Sequence, residues 1–483
     1  MQYKAIFRLL GILLLIFSQS MLTPLLVNVI FKENVWMPFI VAYFFSFSIG
    51  VGLWLSFKNC QNELKIRDGF ILIVLFWLAI CYFASIPFLL EIDNLTSVTD
   101  AIFETVSGIT TTGASVINNL DALPHAILYY RQQLQFIGGI GIVILAVAIL
   151  PMLGVGGMQL FRTETPGPMK DAKLTPRITQ SAKIIWSIYL LLTILCIFFY
   201  YLCGMSFFDA IGESFGTVST GGFTMHSSSF AYYDSDWIRL IACVFMVLGA
   251  TNFSLHFLAL KNISLKFYWQ DEEFRFYLTI ILVATCIIVY TLIRHKVFGL
   301  NLHTFITGLF TTISLATTTG FDLENITPWR TFAPFLAMIL MLIGGSAGST
   351  GGGIKVVRAL LIFKQSRREL LRMLHPQAIV PIKLGKTVVS EVTIQSIWGF
   401  VSTFIGLYLL FVLVFMSLGY NIEISFAAIT SSLTNSGFGI DNLKVEYSDL
   451  DVPGKWLLIV AMLTGRLEIL SVLILFTPAF WRK

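Results

Sequence analysis

The sequence has few charged residues for its length. Asp, Glu, Lys and Arg make up only 12% of the 483 residues, whereas soluble globular chains carry about 25%. Hydrophobic residues make up 56% of the chain, and phenylalanine alone occurs 43 times. So few polar side chains could not cover so much apolar surface in water. The composition therefore excludes a soluble fold and indicates a polytopic membrane protein.

Motifs for metal binding, disulfide bonding and catalysis are also missing. The six cysteines include no Cys-x-x-Cys pair, and the six histidines are scattered along the chain. No Gly-x-Gly-x-x-Gly motif or phosphate-binding loop is present. An intramembrane enzyme would need paired catalytic groups, so it is disfavoured. We expect no bound organic cofactor and no nucleic-acid partner.

Apolar runs long enough to cross a bilayer recur throughout the chain. At roughly 20 residues per crossing, ten spans are predicted, near 6–30, 36–57, 69–90, 134–155, 184–204, 237–260, 274–294, 333–363, 393–418 and 455–476. With the N-terminus inside, the cytoplasmic segments hold 23 of the 32 Lys and Arg residues. This distribution predicts cytoplasmic N- and C-termini. The outer segments hold 17 of the 27 acidic residues, which either attract cations or simply follow from the basic bias inside.

Four shorter segments, rich in Thr, Ser and Gly, align without a gap over fifteen residues. They read AIFETVSGITTTGAS from Ala101, AIGESFGTVSTGGFT from Ala210, GLFTTISLATTTGFD from Gly308 and SFAAITSSLTNSGFG from Ser425. Position 13 of this alignment is glycine in all four segments. The pattern predicts a leading pair of spans, 1–62, followed by four span, re-entrant loop and span repeats at 63–165, 166–265, 266–372 and 373–483.

Each aligned segment begins as a short amphipathic helix and then becomes an extended Thr/Ser/Gly stretch. Unpaired backbone carbonyls at membrane depth are tolerated where they are buried in protein or line a wet cavity. Four such stretches around one axis would present rings of oxygen atoms that can replace the water shell of a cation. The negative C-terminal end of each helix would add to the attraction. For any single segment, a helix-packing contact or a plain loop is the simpler alternative.

This plan resembles the Trk/Ktr/HKT superfamily of potassium transporters, and within it the TrkH and TrkG membrane subunits of the Trk uptake system. The stretches that carry the resemblance are SGITTTGA at 107–114, AVAILPMLGVGGMQLF at 146–161, TPGPMKDAKLTPR at 165–177, GGSAGSTGGGIKVVR at 344–358, LIFKQSRREL at 361–370 and GRLE at 465–468. The resemblance implies an all-α fold with four repeats in pseudo-fourfold arrangement around one pore. It also implies K⁺ as the transported ion, a homodimer, the bacterial inner membrane, and a cytosolic RCK-type subunit (TrkA) that binds NAD and ATP.

The resemblance assigns K⁺ binding to positions 10 to 13 of each segment, here called the filter stretches, mainly through backbone carbonyls. Their residues are Thr110, Thr111, Thr112, Gly113, Ser219, Thr220, Gly221, Gly222, Thr317, Thr318, Thr319, Gly320, Thr434, Asn435, Ser436 and Gly437. Glycine rather than serine at position 113 favours potassium over sodium in this superfamily. The second and fourth stretches depart from the Thr-rich pattern, so the ring is not strictly fourfold.

A glycine-rich run, residues 344–353, interrupts one predicted span and is here called the gate segment. Its glycines are Gly344, Gly345, Gly348, Gly351, Gly352 and Gly353. Each glycine costs a helix about 1 kcal/mol relative to alanine, so the run cannot remain a stable helix. We interpret it as a gate below the filter; a passive kink is the alternative.

Arg466 lies in the last predicted span, where a charge is costly and usually functional. It is either an electrostatic barrier in the pore or one half of a structural salt bridge to a neighbouring span. The basic stretch KQSRRELLR at 364–372 either binds anionic membrane lipids or docks an acidic cytosolic partner.

The second candidate function is a Na⁺- or H⁺-coupled secondary transporter of another cation or solute. Such transporters favour inverted repeats with broken helices, whereas this chain shows four repeats in one direction. Channel-like flux and proton-coupled symport both remain open.

Overall fold

The structure is a computed structural model that describes residues 1–60, 65–92, 97–144, 178–294, 299, 301–323, 332–385, 387–439 and 447–482. Within these ranges the regular secondary structure is helical, apart from one short hairpin of β1 (Lys383–Leu384) and β2 (Thr387–Val388), and loops and turns join the elements.

The leading part of the chain forms three helices, α1 (Tyr3–Gln19), α2 (Leu22–Phe31) and α3 (Trp36–Phe57). Two glycines let α1 and α3 approach closely, as small residues do in membrane helix pairs. A Cβ atom added at Gly11 would lie 2.8 Å from the carbonyl oxygen of Gly50. A side chain at either position would therefore push the two helices apart.

The remaining helices follow the predicted order of span, re-entrant helix and span. The first group is α4 (Ile66–Ala84), α5 (Ile86–Glu91), α6 (Val98–Ile109) and α7 (His125–Ile144). The second is α8 (Ile178–Leu202), α9 (Phe207–Val218), α10 (Asp236–Gly249), α11 (Phe253–Lys261) and α12 (Lys266–Gln270). The third is α13 (Glu272–Arg294), α14 (Leu302–Ala316), α15 (Phe332–Ile343) and α16 (Val356–Leu374). The fourth is α17 (Glu391–Ser417), α18 (Ile422–Leu433), α19 (Val452–Arg466), α20 (Ile469–Leu473) and α21 (Pro478–Trp481). Single 3₁₀ turns lie at Phe230–Tyr232, Tyr447–Asp449 and Ile474–Phe476.

The four re-entrant helices, α6, α9, α14 and α18, have 12, 12, 15 and 12 residues, too few to cross a bilayer. A polar N-cap starts three of them: the side chains of Ser97, Ser206 and Asn301 each accept a hydrogen bond from a backbone N–H in the first turn. Their apolar faces pack inward, and Phe103 and Phe310 are fully buried. The short helices are therefore enclosed by the longer ones.

The ten predicted spans, one of which was expected to be interrupted by the glycine-rich run, are not all single helices. Within the described residues, six helices are long and apolar enough to cross a membrane, or up to eight if two bent pairs each count as one span. The predicted span 237–260 bends by 97° between α10 and α11, and the span 455–476 bends by 110° after Arg466. Helix α15 ends at Ile343, where the gate segment begins. The predicted span 134–155 leaves the described residues after position 144.

The bend between α10 and α11 has a local and a distant cause. Asn252 starts α11 by accepting a hydrogen bond from the Ser254 N–H with its side chain, 2.8 Å away. The backbone N–H of Phe253, the first residue of α11, donates to the carbonyl oxygen of Gly348 in the gate segment at 3.1 Å. The helix is therefore redirected by a contact with residues almost a hundred positions later, which hydropathy alone does not report.

Candidate functional site

Each filter stretch begins where its re-entrant helix ends. Helices α6, α9, α14 and α18 end at positions 109, 218, 316 and 433, directly before the first residue of each stretch. Position 11 then adopts a left-handed backbone in all four, with φ between 51° and 57° at Thr111, Thr220, Thr318 and Asn435. The glycine at position 13 has φ of 85°, 85°, 83° and 62° in chain order. The same unusual conformation therefore occurs four times.

The backbone N–H groups of the filter stretches turn back toward the preceding helix. At position 12, the N–H of Thr112, Gly221, Thr319 or Ser436 donates to the carbonyl of position 7 at 2.8, 2.8, 2.9 and 2.9 Å. Most carbonyl oxygens of the stretches are consequently left unbonded. Of the carbonyl oxygens in the four stretches, only those of Ser219 and Gly221 accept a hydrogen bond from another described residue. Unpaired carbonyls at such depth are the groups that can coordinate a dehydrated cation.

The four glycines link the stretches into a closed ring. A Cβ atom added at Gly113 would lie 2.5 Å from the carbonyl oxygen of Gly221, at position 12 of the next stretch. The other three glycines show the same relation at closer range: Gly222 against Thr319, Gly320 against Ser436, and Gly437 against Thr112 of the first stretch. The fourth contact returns to the first stretch, so the four loops surround one axis. Only glycine fits such an approach of backbone to backbone.

In the first and third stretches, the threonine hydroxyl groups at positions 10 and 12 stabilise the loop by hydrogen bonding to the preceding helix and to each other. The Thr110 hydroxyl donates to the Val106 carbonyl at 2.7 Å and lies 2.7 Å from the Thr112 hydroxyl. The pair Thr317 and Thr319 repeats this 2.7 Å contact. Positions 10 to 12 are buried in all four stretches, whereas the four glycines are partly exposed. These hydroxyls therefore hold the backbone in place.

Two buried glutamates stabilise the loops that directly follow the first two filter stretches by accepting hydrogen bonds from their backbone. Glu104 accepts a hydrogen bond from the backbone N–H of Val116 at 3.0 Å and pairs with Arg131 at 2.8 Å. Glu213, at the same alignment position, accepts one from the Met225 N–H at 2.9 Å. Both N–H groups lie three residues after the filter glycine. Sequence reasoning did not single out these acids, although Glu at position 4 of both segments was a visible signal.

A histidine joins the loops that follow the first and second stretches. His226 Nδ1 lies 2.8 Å from Asp121 Oδ1, and its ring stacks on Tyr232 with centroids 3.5 Å apart. Its Nε2 lies 3.6 Å from Asp209. Burial would lower the pKa of His226, but the neighbouring carboxylates of Asp209 and Asp121 outweigh it and raise that pKa above its usual value. This link therefore strengthens when the imidazole is protonated.

The gate segment lies directly against the filter stretches. The Gly352 N–H donates to the Thr318 hydroxyl at 2.7 Å, and the Thr350 hydroxyl lies 3.2 Å from that of Thr220. A Cβ atom added at Gly351 would lie 3.0 Å from the Thr317 carbonyl. All these contacts are with positions 10 and 11, the end of each stretch nearest its helix. Gly344, Gly348 and Gly353 have φ of 70°, 71° and 79°, so their backbone requires glycine.

Arg466 reaches the gate segment from the end of α19. Its guanidinium donates to the carbonyl of Thr350 at 2.8 Å and to that of Gly138 at 3.2 Å. The side chain is buried, and no carboxylate of the described residues lies within ion-pair distance of it. Glu468, two residues later, instead pairs with Arg358 at 2.8 Å. Among the described residues, Arg466 therefore does not form the salt bridge that was the structural alternative, and its role as a barrier stays a prediction.

A second fourfold pattern lies on the helices that follow the filter stretches. Gly138, Gly249 and Gly465 each pack on the last carbonyl of the re-entrant helix of their own repeat. At Gly249, an added Cβ would lie 2.6 Å from the Val218 carbonyl. The sequences read QFIGG, MVLGA, MLIGG and MLTGR from residues 135, 246, 341 and 462. In this alignment Arg466 and Gly345 occupy the same position.

The basic stretch 364–372 lies on α16, and part of its charge is used within the chain. Lys364 pairs with Glu272, and Arg368 pairs with Glu391. Several large apolar side chains of the same helix are exposed, among them Phe363 and Met373 at 63% and 80%. The surface open to lipid or to a partner is therefore more apolar than the sequence suggested.

The family model for TrkH, described as a cation transport protein, matches residues 36–483. The chain belongs to the TrkH family. It is 44% identical over 484 residues to the Trk system potassium uptake protein TrkH of Escherichia coli (strain K12), with 100% of both chains covered. Identity to the TrkG protein of the same organism is 40%, covering 98% of this chain and 97% of that one.

A solved structure matches the whole chain as well. The crystal structure of the potassium transporter TrkH from Vibrio parahaemolyticus is 42% identical, with a TM-score of 0.92 and 100% of both chains covered. The resemblance to Trk membrane subunits and the all-α polytopic fold class are thus confirmed. The chain is a multi-pass membrane protein of the TrkH family. The assignment of individual filter and gate residues stays a prediction, as do the repeat boundaries.

Proposed function

We propose that this protein takes up K⁺ selectively through the ring of four filter stretches. The observation that carries the proposal is the closed contact of each filter glycine with a carbonyl of the next stretch. It encloses one axis with backbone oxygens that have almost no other hydrogen-bond donor among the described residues. The relatives named above are potassium uptake proteins, which supports K⁺ as the cargo. We infer no role as an enzyme and no resident cofactor.

The physical chemistry of the ring favours a cation that gives up its water. Backbone carbonyls offer a dense set of partial negative charges without a full charge that would trap the ion. The C-terminal ends of the four re-entrant helices lead directly into the ring, where they add negative potential. The second candidate, a secondary transporter with inverted repeats, has no comparable support, because all four repeats follow the same order of elements.

Flow through the ring is proposed to be controlled by the gate segment together with Arg466. The segment touches positions 10 and 11 of the stretches, and Arg466 holds the Thr350 carbonyl at 2.8 Å. Deleting residues within 345–352 should raise K⁺ flux and leave the preference for K⁺ over Na⁺ nearly intact. A folded deletion variant that conducts no faster would contradict the gate.

Regulation is proposed to come from a second chain. No nucleotide-binding motif is present in the sequence, so control by NAD or ATP would require the cytosolic RCK-type subunit TrkA. The exposed apolar side chains of α16 offer a surface for such a subunit. We further propose a homodimer in the bacterial inner membrane with both termini in the cytoplasm. Mass measurement of the purified protein in nanodiscs, with and without the regulatory subunit, tests both associations.

The test of the proposed function is a flux assay in liposomes. Purified protein should let K⁺ enter faster than Na⁺ when each cation is offered at the same gradient. Varying the membrane potential and the pH gradient independently distinguishes channel-like flux from proton-coupled symport. Equal rates for K⁺ and Na⁺ in protein that is folded and correctly inserted would contradict the proposal.

A further inference from the structure

One side chain outside the filter stretches binds directly to them, and its chemistry differs from its counterparts. Gln135 on α7 is fully buried. Its Nε2 donates to the Gly221 carbonyl at 2.6 Å, and its Oε1 accepts from the Phe223 N–H at 3.2 Å. The two hydrogen bonds therefore clamp the second stretch on either side of its filter glycine, Gly222.

The counterparts of Gln135 in the other three repeats are methionines. Aligned three residues before the glycines at 249, 344 and 465 are Met246, Met341 and Met462, all fully buried. Met341 faces the next stretch in the ring, where its sulfur accepts a hydrogen bond from the Ser436 hydroxyl at 2.8 Å. Gln135 likewise faces the next stretch, at the same position 12. The two contacts are equivalent by the fourfold arrangement but differ in chemistry.

The residue at position 12 of the second filter stretch also differs from its counterparts in the other three stretches. The first, third and fourth stretches carry Thr112, Thr319 and Ser436 there, whereas the second carries Gly221. A Cβ atom added at Gly221 would lie 2.5 Å from the Gln135 amide carbon. Gln135 thus occupies the space that a side chain at position 12 would need. Its amide also replaces the hydroxyl contacts that brace the other stretches.

We propose that Gln135 is a positioning residue for ion selectivity, which forms a matched pair with Gly221 and sets the second filter stretch in place of a hydroxyl side chain. The inference rests on the proposed K⁺ filter and deepens it. The Gly221 carbonyl that Gln135 holds is the one against which Gly113 packs. Gln135 therefore fixes the contact between the first and second stretches, and its loss opens the ring at that place.

The test is a double-mutant cycle measured by reversal potential in mixed K⁺ and Na⁺. Gln135→Met removes both hydrogen bonds and should lower the K⁺/Na⁺ permeability ratio about 5- to 10-fold. Gly221→Ser alone places a Cβ against the amide and should lower the ratio at least as much. The double variant recreates the pair Met341 and Ser436 and should return the ratio to within about 2-fold of the parent protein.

The matched control is Gln133→Met, two residues away on the same helix. Its amide donates to the Ser20 carbonyl at 2.8 Å, away from the filter stretches, so the K⁺/Na⁺ ratio should not change. If Gln135→Met does not fold, Gln135→Asn keeps the amide but shortens its reach, and it should lower the ratio in the same direction.

The outcomes separate this inference from the proposed function. A parent protein that shows no preference for K⁺ over Na⁺ overturns the filter itself. A selective parent protein whose ratio is unchanged by both Gln135 variants overturns the role of Gln135 alone. Purely additive losses in the double variant also overturn it, because a matched pair must show coupling.

Discussion

Serine in place of the filter glycines should weaken K⁺ selectivity in a graded order. A Cβ atom at Gly113 would stand 2.5 Å from the next carbonyl, 0.5 Å short of the 3.0 Å that real Cβ atoms keep. At Gly320 the shortfall is more than twice as large. Gly113→Ser should therefore be the mildest of the four substitutions and Gly320→Ser the most severe, with Gly222→Ser and Gly437→Ser between them.

The expected fall in the K⁺/Na⁺ permeability ratio has two contributions. A left-handed backbone costs a residue with a Cβ about 1–2 kcal/mol, and this term is similar for Gly113 and Gly320, whose φ values are 85° and 83°. The displaced carbonyl adds the part that differs. A carbonyl that no longer reaches the ion loses an interaction of about 1.5–3 kcal/mol, by analogy with hydrogen bonds to charged groups. The K⁺/Na⁺ permeability ratio should fall about 10- to 100-fold for Gly320→Ser and about 3- to 10-fold for Gly113→Ser.

Reversal potentials of the reconstituted variants in mixed K⁺ and Na⁺ measure these ratios. Gly399→Ser is the control, because Gly399 lies on an exposed face of α17 with nothing within 4 Å of an added Cβ. It should leave the ratio unchanged. Equal losses at Gly113 and Gly320, or a reversed order, would refute the argument that the glycine-to-carbonyl contact sets selectivity.

Three further changes have expected outcomes. Arg466→Gln removes a charge that would repel K⁺ by about 4 kcal/mol at 4 Å and an effective dielectric near 20, and by less after screening. The K⁺ flux should therefore rise about 10-fold or more while the melting temperature stays unchanged. Lost flux together with lost stability would support a structural role for Arg466 instead. Glu104→Gln leaves the buried Arg131 without its carboxylate partner, so the free energy of unfolding should fall by about 3–5 kcal/mol. A melting temperature equal to that of the parent protein would contradict a stabilising role for the Glu104–Arg131 pair. The folded-state pKa of His226 is raised, so the stability that His226 contributes is complete below its unfolded-state pKa and is lost as the pH rises through its folded-state pKa. Melting temperatures measured from pH 5 to 9 should show this loss in the parent protein and not in His226→Gln.

The four filter stretches could be predicted from the sequence because they depend on backbone conformation. A positive φ and a carbonyl within reach of Cα both demand glycine, so Gly113, Gly222, Gly320 and Gly437 appear as an invariant letter in the four-way alignment. The amphipathic pattern of the re-entrant helices is local in the same way. Both features are encoded within fifteen residues, where a single sequence is informative.

Features that depend on distant contacts could not be predicted. The bend at Asn252 follows from a hydrogen bond between Phe253 and Gly348, and the apolar run across it gives no sign of a break. The pair of Gln135 with Gly221 joins positions 86 residues apart. The repeated glycine after Gln135, Met246, Met341 and Met462 was a usable signal. Its meaning depends on which helix packs against which loop, and only the fold supplies that.

The closed ring also has a consequence for the order in which the protein is made. Gly437 packs on the Thr112 carbonyl, and Asn435 donates to the Thr112 hydroxyl across 323 positions of the chain. While the ribosome is still adding the last repeat, the first stretch has a neighbour on one side only, and its buried polar backbone has no partner on the other. Pore assembly therefore has to wait for the final part of the chain to enter the membrane, and such long-range closure is slow compared with local contacts. A nascent chain that stalls before position 437 would therefore expose an incomplete polar cavity to lipid.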